Sequence, residues 1–209
     1  MYAPTMPRKT KEEAQATRGR ILDAAERLFQ ARGVSRTSLH DIAEAAGVTR
    51  GAVYWHFEDK GDLFNAMLER VFLPMEQRKL ALANAAPGQV LPALRKLLLD
   101  ILALLVRDEQ ARRVAQIVTQ RMEFVEEMDA VRQRRLQVRR EFQRQLERAL
   151  KQGQKRGEIV PAPSARQLAL GLHALLDGLI HNWLFDPSHD LRRVGAHAVD
   201  VHLAGLARQ

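Results

Sequence analysis

Apolar residues recur every three or four positions along most of the chain, and this helical period is interrupted only at glycine, proline and short polar clusters. Ile21, Leu22, Ala25, Leu28 and Phe29 put a buried stripe on a first helix over residues 11–32, which Gly33 stops. Leu39, Ile42, Ala43 and Ala46 give a short second helix one apolar face, with His40, Asp41 and Glu44 turned to water. Gly47 ends it, because glycine accepts the positive φ that a tight turn demands. Thr49 then caps a third helix with Val53 as its apolar anchor. A helix this short forms only by packing, so its role is to present its front edge. Asp59 and Asp62 make a variant capping pair for a fourth helix, whose Leu63, Phe64, Met67, Leu68, Val71 and Phe72 run until Pro74.

Pro87 and Gly88 punctuate the chain before a fifth helix over residues 90–106. A break at 107–110 precedes a sixth helix over 111–120, and a long seventh covers 124–152. Gly153, Gly157, Pro161 and Pro163 mark an exposed loop. Ser164 caps an eighth helix over 165–184, and residues 186–190 separate it from a ninth over 191–206. The expectation is an all-α chain of nine helices and no strands, divided into an N-terminal unit of residues 1–60 and a helical C-terminal unit of residues 61–209. The fourth helix, rooted in the first unit and reaching into the second, is the mechanical link between them.

Composition narrows the function. The 209 residues are 46% hydrophobic, ample for a core. The absence of cysteine removes disulfides, thiol catalysis and cysteine-ligated zinc. No GxSxG, glycine-rich phosphate loop or paired catalytic cluster is present, so no enzyme and no cofactor is expected. Arg95, Lys96 and Asp100 interrupt the longest apolar run, and nothing approaches a charge-free span of about 20 residues. With no apolar signal core at the start, the expectation is a soluble cytoplasmic protein without a membrane partner.

The net charge of +8 invites a nucleic-acid reading, but its distribution does not locate one. Acidic and basic residues nearly cancel through Lys60. The excess lies on the seventh helix, from Arg132 to Lys155, opposite a stripe of Leu136, Phe142, Leu146 and Leu150. That run reads first as a solvated face, with anionic lipid or nonspecific DNA as alternatives. The sharper signal is the pair of short helices broken by one glycine and closed by an aromatic-basic cluster, the layout of a DNA-reading helix-turn-helix at about residues 38–57.

The run DIAEAAGVTRGAVYWHFEDK, with the preceding TRGRILDAAERLFQARGVSRTSL, resembles the helix-turn-helix signature of the TetR family of one-component bacterial repressors. The stretch KTKEEAQATRGRILDAAE further resembles the AcrR-like branch, which includes local repressors of multidrug efflux operons. The resemblance implies a homodimer on a near-palindromic double-stranded operator, each third helix entering a major groove. The matching positions are Thr49, Arg50, Gly51, Tyr54, Trp55 and His56. Arg50 suits guanine O6 and N7, Gly51 permits close backbone approach, and Tyr54 and His56 can donate to phosphates. Ser38 and Lys60, at the starts of the second and fourth helices, are expected on phosphate oxygens. Phe57 and part of Trp55 read equally well as core.

Two features bear on assembly and on an effector. The eighth helix is apolar around much of its circumference, and Gly171 and Gly178 would admit another helix. With Leu175, Leu179, Trp183, Val194, Ala198 and Val201 they form the expected dimer face, although core packing explains any one of them. The resemblance implies a four-helix interface there. His173, Asp177 and His181 make a polar stripe amid leucines. The sequence LDGLI resembles VDGLI of AcrR-like repressors and so puts Asp177 in a drug cavity. An ion pair with arginine or histidine, or a histidine-aspartate metal site, stands beside that reading, although no metal is expected. Further pocket candidates are Gln116, Thr119, Gln120 and Glu123, with Val71, Leu94, Ile101, Phe142 and Leu176 as apolar walls. Such a lining suits an amphipathic or aromatic compound, while an acyl or other metabolite is the alternative effector.

Overall fold

The computed structural model describes residues 10–72, 82, 85–121 and 129–208. Among these, nine helices follow in order: α1 (Lys11–Arg32), α2 (Leu39–Ala46), α3 (Arg50–His56), α4 (Lys60–Phe72), α5 (Val90–Arg107), α6 (Glu109–Gln120), α7 (Asp129–Lys155), α8 (Ala165–Phe185) and α9 (Leu191–Ala204).

Capping chemistry fixes most of the helix starts. Thr10, Ser38 and Ser164 each head a full capping box, with Glu13, Asp41 and Gln167 returning the bond. Asp59 accepts the Asp62 N–H at 2.7 Å, and the Asp62 carboxylate accepts the Glu58 N–H at 3.1 Å, so this pair does cap α4. At the turn between α2 and α3, Gly47 adopts φ 64°. Its N–H bonds the α2 carbonyls of Ala43 and Glu44, as a left-handed helix stop requires.

α1, α2 and α3 close around Ile21, Leu22, Ile42, Val53 and Phe57, all buried. α4 shares that core: the Phe29 and Phe64 rings lie 5.9 Å apart. Farther along the chain, α7 runs antiparallel to α8, with Arg139 opposite Asp177 and Gln143 opposite His173. α9 runs antiparallel to α5, joined by a two-bond ion pair from Arg95 to Asp200 at 2.6 and 3.0 Å. Gly195 of α9 leaves room for the Leu102 side chain of α5, which a Cβ would strike. Replacing Gly195 with leucine should therefore wedge the two helices apart and destabilise the fold by about 1–3 kcal/mol, read as a lower urea midpoint.

Several boundaries differ from the expectation for physical reasons. The break before α6 shrinks to Asp108, whose carboxylate accepts the Gln110 and Ala111 N–H groups and restarts the helix at once. Gly153 does not end α7; its bare Cα makes room for the buried Ile159 side chain folding back, and the helix continues to Lys155. α9 stops at Ala204, after which an isolated antiparallel bridge pairs Ala207 with Ile159. That bridge is a single residue pair and adds no strand to the nine helices among the described residues. α8 is long and apolar enough to cross a membrane by length and composition, although Arg166 and Asp177 keep it from being a charge-free span. Its core stripe is taken up inside the fold, where Leu168, Leu172 and Leu176 are buried.

Candidate functional site

The largest exposed apolar side chains among the described residues gather in two places. Tyr54 and Trp55 stand on α3, while Leu170, Phe185, Val194 and Val201 stand on α8 and α9; only Val138 lies elsewhere. Because isolated exposed apolar groups are ordinary but clusters are not, each place is a candidate surface.

The α3 surface follows from a helix with a single buried residue, Val53. Thr49 caps it by accepting the Ala52 N–H at 3.2 Å, which sends the side chains of Arg50, Tyr54 and Trp55 outward. Trp55 is 73% exposed, so the core role considered for it falls to Phe57 alone, at 1%. The Arg50 guanidinium lies 5.4 Å from the Tyr54 ring centre and donates to the Tyr54 hydroxyl at 3.2 Å. The stack one helical turn apart holds the arginine fork at the open edge and leaves the tyrosine proton free to be donated. The His56 ring meets Trp55 edge-on at 4.5 Å, Gly51 is exposed, and Lys60 opens α4 behind them.

Ser38 is engaged differently from the expectation. Its hydroxyl donates to Asp41 at 2.6 Å and accepts the Asp41 N–H at 3.1 Å, so its proton serves the α2 cap instead of pointing outward. These bonds from the Ser38 side chain and backbone hold the Asp41 carboxyl below its ordinary range, keeping a negative charge at the α2 start.

The expected effector residues divide. Phe142, His173 and Asp177 do come together: the Phe142 and His173 rings meet edge-on at 5.6 Å, and Asp177 lies 3.5 Å from His173 and 3.3 Å from Arg139. Asp177 is exposed and ion-paired, where a cavity position was expected. The Gln143 amide nitrogen sits 2.8 Å from His173 Nδ1 and acts as donor, leaving the ring proton on Nε2 toward Asp177. His181 is exposed on the same helix. Val71, Leu94 and Leu176 are buried and Ile101 is partly so. Gln116 turns instead to α1, its oxygen accepting from Gln30 at 3.3 Å. Thr119 is exposed with its hydroxyl bonded back to the Ala115 carbonyl at 2.8 Å, Gln120 is exposed, and Glu123 lies outside the described residues. A groove of about 350 Å³ opens between α7 and α8, walled by Arg140, Arg144, Glu147 and Arg166 over Gln143 and Ala169, with Leu170 at its edge toward the second surface. None of the expected pocket residues lines it, although Gln143 joins it to the His173 cluster.

Burial lowers the His173 pKa, outweighing the opposing pull of Asp177, and the Arg139 charge pushes the same way. The unfolded chain, with an ordinary value near 6.5, thus binds this proton more readily than the folded one. Stability should be intact above about pH 6.5 and fall as the pH drops toward the lowered folded value. Melting temperatures from pH 8 to 5 check this. His173→Gln should flatten that part of the profile, and an unchanged slope would count against it.

On the second surface, Gly178 is open, with nothing within 4 Å of the position a Cβ would take, and Ala198 is half-buried between exposed Val194 and Val201. Leu175 and Leu179 are partly buried. Gly171 is approached by His202 of the same chain, so its close packing serves α8 against α9. Trp183, expected on the dimer face, is buried within the protomer at 7%. Leu170 and Phe185 were passed over in the sequence and belong to the exposed set.

A seven-residue helix presenting an arginine and two aromatics, carried on a larger helical body, defines a helix-turn-helix regulator. The profile described as "Bacterial regulatory proteins, tetR family" matches residues 21–67, and "MAATS-type transcriptional repressor, C-terminal region" matches residues 89–207. The chain belongs to the tetR family. It is 42% identical over 184 residues, 87% of each chain, to the HTH-type transcriptional regulator TtgR of Pseudomonas putida. The crystal structure of NalD, the secondary repressor of the MexAB-OprM multidrug efflux pump in Pseudomonas aeruginosa, is similar at TM-score 0.85 and 39% identity, covering 94% of this chain and 99% of that one. A SmeT–triclosan complex is similar at TM-score 0.83 and 33% identity, covering 93% of each.

Proposed function

We propose that this protein is a transcriptional repressor of a multidrug efflux operon, released from its operator by amphipathic or aromatic compounds. The observation that carries the reading is the outward edge of α3, where Arg50 is stacked on Tyr54 beside an exposed Trp55. That edge has no role in the protein's own core and fits the base edges and phosphates of a major groove. The likeness to NalD and to TtgR, and to SmeT bound to triclosan, supports efflux control and a drug-like effector.

In this reading residues 1–60 form the DNA-binding unit and residues 61–209 the effector and dimerisation unit. Thr49, Arg50, Gly51, Tyr54, Trp55, His56 and Lys60 face DNA. The exposed Val194 and Val201, with half-buried Gly178 and extended by exposed Leu170 and Phe185, pair two copies about a two-fold axis in the cytoplasm. Phe142, His173 and Asp177 mark the side of the body where the effector is felt. Nuclease protection of the DNA upstream of its own gene tests the assignment. Two protected half-sites in near-palindromic sequence, in successive major grooves on one side of the duplex, are expected. Protection without sequence preference would reduce the protein to a general DNA binder.

A further inference from the structure

We propose that Glu26 is a positioning residue that couples α4 and α6 of the effector unit to the DNA-reading unit, so that release by an effector depends on it; this rests on the repressor reading above. Glu26 lies on the buried face of α1, with its side chain 3% exposed. An unpaired carboxylate there would be costly, and three donors from two other helices satisfy it. Oε1 accepts from Arg113 Nε of α6 at 2.7 Å. Oε2 accepts from Arg70 Nη2 of α4 at 2.9 Å and from Gln110 Nε2 of α6 at 3.0 Å. Both arginines are fixed from behind, Arg70 by Asp23 and Arg113 by Glu109, each at 2.7 Å. One carboxylate thus joins the helix that packs on α2 and α3 to both helices that reach it from the body.

Glu26 is also the first rung of a series. One turn on, Gln30 donates to Gln116 at 3.3 Å, and beyond the end of α1 the Val34 N–H donates to the Arg121 carbonyl at 3.1 Å. The pairs 26/113, 30/116 and 34/121 advance together, so α1 and α6 lie side by side and parallel. Withdrawing α6 would take Arg113 and Gln110 from a buried carboxylate and leave Oε1 bare. The junction is therefore either made or broken, and while made it obliges α1 to follow α6. α4 is a second carrier meeting the first at the same residue, not a sole link.

The test compares wild type with Glu26→Gln. One measurement is the factor by which a saturating releasing drug weakens operator binding; the other is amide exchange at Val34, across the seam, and at Phe57, inside the reading unit. Glu26→Gln is expected to cut the release factor about tenfold while drug affinity of the DNA-free protein is kept. Val34 should exchange about tenfold faster with Phe57 unchanged. An unaltered release factor, or an unaltered Val34 rate, overturns the proposal. If no drug releases even the wild type, the efflux reading fails on its own, and the Val34 rate still decides whether Glu26 holds the seam. If Glu26→Gln also exposes Phe57, Arg113→Met, which leaves Glu26 its bonds to Arg70 and Gln110, decides by the same measurements.

Discussion

Arg50→Ala should nearly abolish sequence-specific operator binding while leaving the fold and the effector response of the free protein intact. The Arg50 side chain is exposed, and its bond among the described residues is to exposed Tyr54, so nothing in the core depends on it. A guanidinium on guanine O6 and N7 discriminates by about 1–3 kcal/mol, and two reading helices double this to roughly 2–6 kcal/mol, about thirtyfold or more in affinity. Arg50→Lys should not rescue it, because a point charge lacks the fork that a guanine edge matches. Tyr54→Phe, which removes one hydroxyl contact, should weaken specific and nonspecific DNA alike. Binding isotherms on specific and scrambled duplexes check the pair; equal retention of specificity by Arg50→Ala would move base reading elsewhere on α3.

The double change Val194→Asp with Val201→Asp should yield a folded monomer. These residues lie seven apart on one face of α9 and are 43% and 61% exposed in the protomer, so aspartates there meet water as long as the chain is alone. In a two-fold interface each charge would be buried against an apolar neighbour without a partner, which prevents association. With one reading helix per particle the gain from simultaneous engagement is lost, and operator affinity should fall by about a hundredfold or more. Sedimentation velocity and helical circular dichroism read the two halves of the result. A dimer that persists would place the interface away from α9.

What could be read from the sequence was local. The caps at Thr49, Asp59 and Ser164 set helix starts through bonds spanning three residues, and they stand where the pattern put them. The α3 edge was legible for the same reason: a single aliphatic anchor, Val53, on a seven-residue helix leaves Arg50, Tyr54 and Trp55 to face outward. Contacts made at long range were not. Glu26 sits one turn from Leu22 on the buried stripe, yet its partners lie 44, 84 and 87 residues away, so a charge amid leucines was the only clue. Trp183 was placed on the dimer face but is buried in the protomer, because a helix apolar nearly all round does not say which surface the fold covers first. Asp177 was placed in a cavity by the likeness of LDGLI to VDGLI, whereas Arg139 on α7 meets it at the surface, the ion-pair alternative. Gly153 reads as a breaker, but it makes room for the Ile159 side chain, as Gly195 does for Leu102.

The central claim is that one protein both reads DNA through α3 and releases it on binding a drug-like compound. Fluorescence anisotropy on the duplex upstream of its own gene, titrated first with salt and then with a panel of amphipathic and aromatic drugs, tests both parts together. The account predicts tight binding that weakens steeply with salt and is reversed by members of the panel, since an effector acts only through its different affinity for the free and DNA-bound forms. Tight binding that every compound leaves unchanged would contradict the drug-responsive switch, and no specific binding to that duplex would contradict the repressor of its own neighbourhood.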